Sequence, residues 1–264
     1  MTDYIELNSP AWRVAAASVA GLRHVRNAAP CQDNHAWALL PEGAFAAVVA
    51  DGAGSAELGG TGSAIASRAA LDSIQGTSCL PRDAAGLRSL LTRALTHARD
   101  AVVLEAVRLE RDPRDLATTL IVLIATRNVV AAAQIGDGAS VIDTPNGVVA
   151  VTAPVLGEYI NETTFVVSPN AIETAQYNVL YQPCLSLALF SDGLQMLALK
   201  LVTGEPFAPF FQPLFQFAAG ADEPGKAATD LAAWLASPRV SARTDDDVTL
   251  VLAHRLAGAT DANF

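Results

Sequence analysis

The sequence predicts an α+β fold in which antiparallel sheets are covered by helices. Strand-like apolar runs follow one another across short polar breaks, as in hairpins. Helical patterns are grouped in separate blocks and do not alternate with strands. With 51% hydrophobic and 17% charged residues among 264, the sheets are apolar enough to need helices over their outer faces.

Taken in order, "AFAAVVA" at 44–50 reads as a buried strand. Residues 61–76 read as a helix, with Gly60 or Thr61 as its cap and Gly76 as its stop. A longer helix is predicted over 83–110, ending near Asp112-Pro113. Leu87, Leu91, Leu95, Ala98, Val102 and Ala106 form its apolar stripe. Strands follow near 118–125, 129–135 and 139–143, split by "TRN" and "GDG". Asn146-Gly147 is the strongest hairpin signal, so Val148 to Thr152 should return antiparallel. "LSLALF" at 185–190 is another buried strand. Residues 193–200 and roughly 207–236 look helical, interrupted by prolines and glycines, and "DVTLVLAHR" is a closing strand. Phe207, Phe210, Phe211 and Phe215 form either a packing stripe on a helix or an exposed docking patch; periodicity does not separate the two.

Composition excludes several functions. The net charge is −10 and Lys and Arg are not clustered, which argues against a nucleic-acid partner. The acidity suits metal binding and ordinary solubility alike. No apolar run is long enough for a membrane span, and "MTDYIELNSPAWR" lacks the features of a signal peptide. A cytoplasmic protein is expected. Cys31, Cys79 and Cys184 are far apart, form no C-x-x-C, and read as buried free thiols. His97 and His254 read as structural, and none of the four histidines has zinc-ligand spacing.

The chemistry lies at strand ends. "AAVVADG" ends in Asp51-Gly52, "AAAQIGDG" in Asp137-Gly138 and "LALFSDG" in Asp192-Gly193. Asp245, Asp246 and Asp247 precede the closing strand, and Asp33 in "PCQDNHAW" precedes another. A single Asp-Gly is an ordinary turn. Three after apolar runs, with a carboxylate run before a fourth, suggest convergence in one cleft. Gathered carboxylates repel unless a cation lies between them, and an oxygen-only set favours Mg²⁺ or Mn²⁺. Two such ions can acidify a water and hold a phosphoryl oxygen. On this reading Gly52 lets its carbonyl approach a metal, and Gly54 leaves room for water.

The order and spacing of "CQDNHAW", "VADGAGSAELGG", "ATTLIVLI", "QIGDGASVI", "LFSDGL" and "TDDDVTLVL" resemble the motifs of the metal-dependent protein phosphatases, the type 2C family. "APVLGEYINETTFV", "SDGLQMLALKL" and "FAPFFQPLF" resemble a bacterial subgroup of that family. The resemblance implies one phosphatase domain over 1–264, built as a four-layer αββα sandwich of two antiparallel sheets between helix pairs. It implies a binuclear Mn²⁺ or Mg²⁺ centre hydrolysing phosphoserine and phosphothreonine with a metal-activated water. Asp51 should bridge both ions and the Gly52 carbonyl should bind one. Asp192 and Asp246 should hold the other, and Asp33 should contact the centre. Asp137 matches a position that serves a weaker third metal in many bacterial members.

Two departures stand out. The position of the family's phosphate-gripping Arg is Ala28, so Arg26 and His24 become the expected phosphate contacts, with Arg23 nearby. The third-metal motif reads Gly136-Asp137-Gly138 and lacks its Ser, which should loosen the loop. In the flap region, Glu158, Asn161 and Glu162 either face the cleft or belong to a polar surface loop. The substrate implied is a phosphoprotein. The subgroup also implies a Ser/Thr kinase and a von Willebrand A-type protein as partners. The competing reading is a non-catalytic or partner-activated phosphoprotein-binding module in a kinase-linked complex.

Overall fold

The computed structural model describes residues 11–154, 163–200 and 202–256. The chain runs β1 (Trp12–Val19), α1 (Leu22–Arg26), β2 (Asp33–Leu39), β3 (Phe45–Asp51), α2 (Gly59–Gln75) and α3 (Ala84–Arg108). It continues through β4 (Leu120–Ala125), β5 (Val130–Ile135), β6 (Ala139–Thr144), β7 (Gly147–Thr152), β8 (Gln176–Leu180) and β9 (Ser186–Phe190). It closes with α4 (Gln195–Ala198), α5 (Ala208–Ala219), α6 (Pro224–Leu235), α7 (Pro238–Ser241) and β10 (Val248–Arg255).

Two five-stranded sheets result, ordered β1-β10-β9-β6-β7 and β2-β3-β4-β5-β8, with every named pairing antiparallel. Their inner faces share a core of Val14, Ala16, Phe45, Val49, Leu123 and Leu189, among others. Alternate residues of the same strands face outward. Ala46, Val48 and Val122 pack under α2 and α3, and Ala188, Leu250 and Leu252 pack under α5 and α6. Strands buried on both faces read as continuous apolar runs, which is why 44–50 and 185–190 stand out in the sequence.

The stripe expected on α3 is buried throughout, and Asp83 caps the helix by accepting from the Gly86 amide. Helix α2 starts earlier than its cap signal suggests. Leu58 precedes it without a side-chain cap, and the Leu58 amide instead donates to the Asp115 carbonyl at 2.8 Å. The small residues at its start serve packing. A Cβ on Gly62 would lie 2.0 Å from the Leu116 carbonyl oxygen, a backbone atom that cannot swing away. Gly62→Ala is therefore expected to lower stability by about 1–3 kcal/mol through overpacking. Thermal unfolding beside wild type checks this; an unchanged Tm counts against the close approach.

The aromatic question resolves toward packing. Phe211 and Phe215 are buried, Phe210 stands edge-on to Phe211 at 5.1 Å, and Phe207 alone is exposed. The expectation of three buried thiols is corrected: Cys184 is buried, Cys31 half-buried and Cys79 exposed, because Cys79 lies in the polar connection between α2 and α3. The span 193–200 condenses to a single 3-10 turn and the four residues of α4. Strands β1 and β8 carry no strand prediction from sequence. No helix among the described residues is long and apolar enough to cross a membrane.

Candidate metal centre

Antiparallel pairing brings the acidic strand ends together. Asp33 opens β2 directly opposite Asp51, which closes β3. Asp192 follows β9, and Asp137 lies in the turn between β5 and β6. Asp51, Asp137 and Asp192 each offer a carboxylate oxygen, and these oxygens lie within 4.8 Å of one another. Asp33 and Asp246 are outside that group of three, but their charges reach it: Asp33 acts on Asp51, and Asp246 on Asp192.

The backbone of Asp51 is fixed by two threonines. Thr118 Oγ1 donates to the Asp51 carbonyl at 2.9 Å, and the Asp51 amide donates to Thr119 Oγ1 at 3.1 Å. The Thr119 amide closes the pair by donating to the same carbonyl at 2.8 Å. Both hydroxyls of "ATT" are thus used in presenting one carboxylate. Asp33 is 4% exposed; its Oδ2 accepts from Ser191 Oγ at 2.6 Å, and the Thr249 amide donates to that Ser191 Oγ. Asp33 Oδ1 is buried with no hydrogen-bond partner among the described residues.

Asp51, Asp192 and Asp33 resist ionisation. Burial first, then the charges of Asp33 and Asp192, push Asp51 far above the ordinary carboxylate range. Burial raises Asp192 to about 6, with Asp137 adding repulsion. Burial raises Asp33 to about 7 against hydrogen bonding led by Ser191. Half-buried carboxyls that repel one another, an orphaned oxygen on the buried Asp33 beside them and an all-oxygen donor set fit a hard divalent cation. A cation between them would favour the charged forms that burial opposes.

The glycines also serve packing. A Cβ on Gly52 would lie 2.4 Å from the Gly59 carbonyl carbon, so glycine there admits the start of α2. A Cβ on Gly54 would lie 3.1 Å from the Arg23 guanidinium, which pairs with Asp246 at 3.1 Å. Arg23 therefore lies beside Asp246, and Arg26, the arginine expected from sequence, lies on the same short helix; both are exposed. His24 does not reach the three-carboxylate group through Nδ1. That nitrogen bonds Asp247 Oδ1 at 2.7 Å.

Asp247 is the residue whose role sequence reasoning misses. It is 3% exposed and binds both ends of the 21–32 segment. Oδ1 also accepts from the Gly21 amide at 2.8 Å, and Oδ2 accepts from the Gln32 amide at 2.6 Å. The Arg23 amide adds a bond to the Asp245 carbonyl at 3.0 Å. Asp245 itself is exposed. Three carboxylates in a row give no hint of which one turns inward. Glu158, Asn161 and Glu162 lie outside the described residues.

The family profile described as Protein phosphatase 2C matches residues 20–236. Serine/threonine-protein phosphatase 3 of Escherichia coli strain K12 is 34% identical over 252 residues, covering 92% of this chain and 98% of that protein. A solved bacterial serine phosphatase superposes with a TM-score of 0.67 at 13% identity, over 94% of this chain and 99% of that one. A Streptococcus agalactiae serine/threonine phosphatase gives 0.65 at 16% identity, over 93% and 100%. At these identities the solved structures speak to the fold.

Proposed function

The chain belongs to the protein phosphatase 2C family, and from that premise we propose that it is a Mn²⁺- or Mg²⁺-dependent phosphatase of phosphoserine and phosphothreonine in proteins, acting as one domain over 1–264. The convergence of Asp51, Asp137 and Asp192 carries the reading. Those three would hold the ions, two in the principal centre, with the Gly52 carbonyl, Asp33 and Asp246 completing it. Asp137 would serve a weaker third ion. When bound, the metals supply an acidified water and charge stabilisation at the phosphoryl oxygens.

The protein's own groups do the rest. Ser191 and Thr249 hold Asp33 in place. The Asp247 clamp sets α1 against the Asp245–Asp246 backbone and so holds Arg23 beside Asp246. The Arg23–Asp246 pair is half-exposed, and such pairs are weak. Its guanidinium is therefore free to take up a substrate phosphate, where charge-assisted bonding is stronger. On this reading Arg23→Ala raises KM for a phosphopeptide about tenfold, as loss of a bond to a charged group would, and Arg26→Ala changes it less. A larger effect at Arg26 would move the phosphate contact there. Turnover is expected in the cytoplasm, on proteins phosphorylated by a Ser/Thr kinase, with a von Willebrand A-type protein as a further partner.

The test is hydrolysis of p-nitrophenyl phosphate and of phosphoserine and phosphothreonine peptides by EDTA-stripped protein titrated with Mn²⁺. Saturable, metal-dependent turnover is expected. Peptide binding without turnover at any Mn²⁺ concentration would instead favour a phosphoprotein-binding module.

A further inference from the structure

Strand β5, "VAAAQI", holds one polar side chain among apolar ones, and it is 3% exposed. Gln134 Nε2 donates to the Gly136 carbonyl and to the Gly138 carbonyl, each at 3.1 Å. Those two carbonyls flank Asp137. One amide therefore ties both sides of the three-residue turn that carries a cluster carboxylate from one sheet to the other.

Neither glycine of the turn has a side chain to hold it. Gly136 and Gly138 have φ of +90° and +91°, where L side chains are strained. A Cβ on Gly136 would lie 2.6 Å from Thr119 Cγ2, and one on Gly138 would lie 2.6 Å from the Phe190 carbonyl oxygen. The amide orientation is fixed by chemistry, since two carbonyls accept only from the NH₂ end. Gln134 Oε1 is buried with no hydrogen-bond partner among the described residues. An apolar side chain of similar shape would avoid that orphaned acceptor, so the residue is best explained by what its NH₂ holds. At the tip, Asp137 Oδ2 accepts from Thr163 Oγ1 at 3.1 Å.

We infer that Gln134 is a positioning residue: by fixing Gly136-Asp137-Gly138 it aims the Asp137 carboxylate at Asp51 and Asp192, and so sets the affinity for the cation that uses Asp137. The inference rests on the cluster being a metal site.

The test is Mn²⁺ binding by calorimetry on EDTA-stripped wild type, Gln134→Met, Asp137→Asn, the double variant and Asp51→Asn. Gln134→Met keeps the volume and removes the donor; Gln134→Asn, which withdraws the amide by one methylene, serves if the Met variant does not fold. Loss of such a supporting hydrogen bond is expected to weaken the Asp137-dependent site by about 10-fold or more. The double variant should then bind no more weakly than Asp137→Asn alone. Wild-type affinity in Gln134→Met overturns the inference and leaves the metal reading standing. Additive losses in the double variant also overturn it, because Gln134 would then act through the fold at large. Absence of Mn²⁺ binding in wild type overturns the metal reading and this inference with it.

Discussion

Asp51→Asn is expected to lower kcat for metal-dependent phosphomonoester hydrolysis by about 10³-fold, the rate equivalent of the several kcal/mol that a bound metal contributes to charge stabilisation. Asp51 stands between Asp33 and Asp192 and is the carboxyl most disfavoured as an anion without a cation. Asn preserves its volume, and the bonds from Thr118 and Thr119 go to its backbone or receive its amide, so the strand end keeps its shape. The variant should fold as well as wild type when metal-free, or better, since a desolvated carboxyl that folding forces to stay protonated is gone. Steady-state rates beside a thermal melt separate the two effects. A folded variant with near-wild-type kcat would remove Asp51 from the centre.

The second large effect is on stability. Folding raises Asp192 from 3.8 to about 6 and Asp33 from 3.8 to about 7. Over that interval the folded state binds more protons than the unfolded state, so the slope of unfolding free energy with pH is negative. The cluster's contribution is most favourable near pH 4 and is lost as pH rises through 6 to 7. Metal-free protein should therefore lose stability across this window, on the order of a few kcal/mol, and Asp51→Asn should flatten the slope. Mn²⁺ at about 100 times its Kd should restore about 2.7 kcal/mol, which for a chain of this size raises Tm by roughly 5–10 °C. Melts from pH 4 to 8, with EDTA or Mn²⁺, decide it. A Tm indifferent to Mn²⁺ at pH 7 would mean that the carboxylates hold no ion.

Much of the architecture is legible because its periodicities are clean. The stripe on α3 and the doubly buried β3, β4 and β9 are written directly in the sequence. The two missed strands fail for opposite physical reasons. In β1, "WRVAAASV" is rich in alanine, which suits helix and strand alike, and its near-continuous burial removes any alternation. In β8, "QYNVL" is a polar edge strand that the pattern does not distinguish from a loop. The strand-end carboxylates are readable as a class, yet their division of labour is not. Asp246 and Asp247 are neighbours, but one pairs with Arg23 at the surface and the other is buried under α1. Arg23 and Arg26 lie three residues apart on a single helical turn, and only the docking of that turn decides which faces the acids. Gln134 had a visible signal, a lone amide within an apolar strand, whose meaning depends on a turn geometry that sequence does not supply.

The Asp247 clamp has a consequence for the protein's synthesis. Gly21, His24 and Gln32 leave the ribosome more than two hundred residues before the carboxylate that gathers them. Strand β1 waits equally long, since its neighbour β10 also follows it by more than two hundred residues. Until then a nascent chain has no anchored Arg23, and the β1 edge lies open to other chains. Catalytic competence is thus expected to depend on completion of β10, which supplies both the clamp and the cover of the β1 edge.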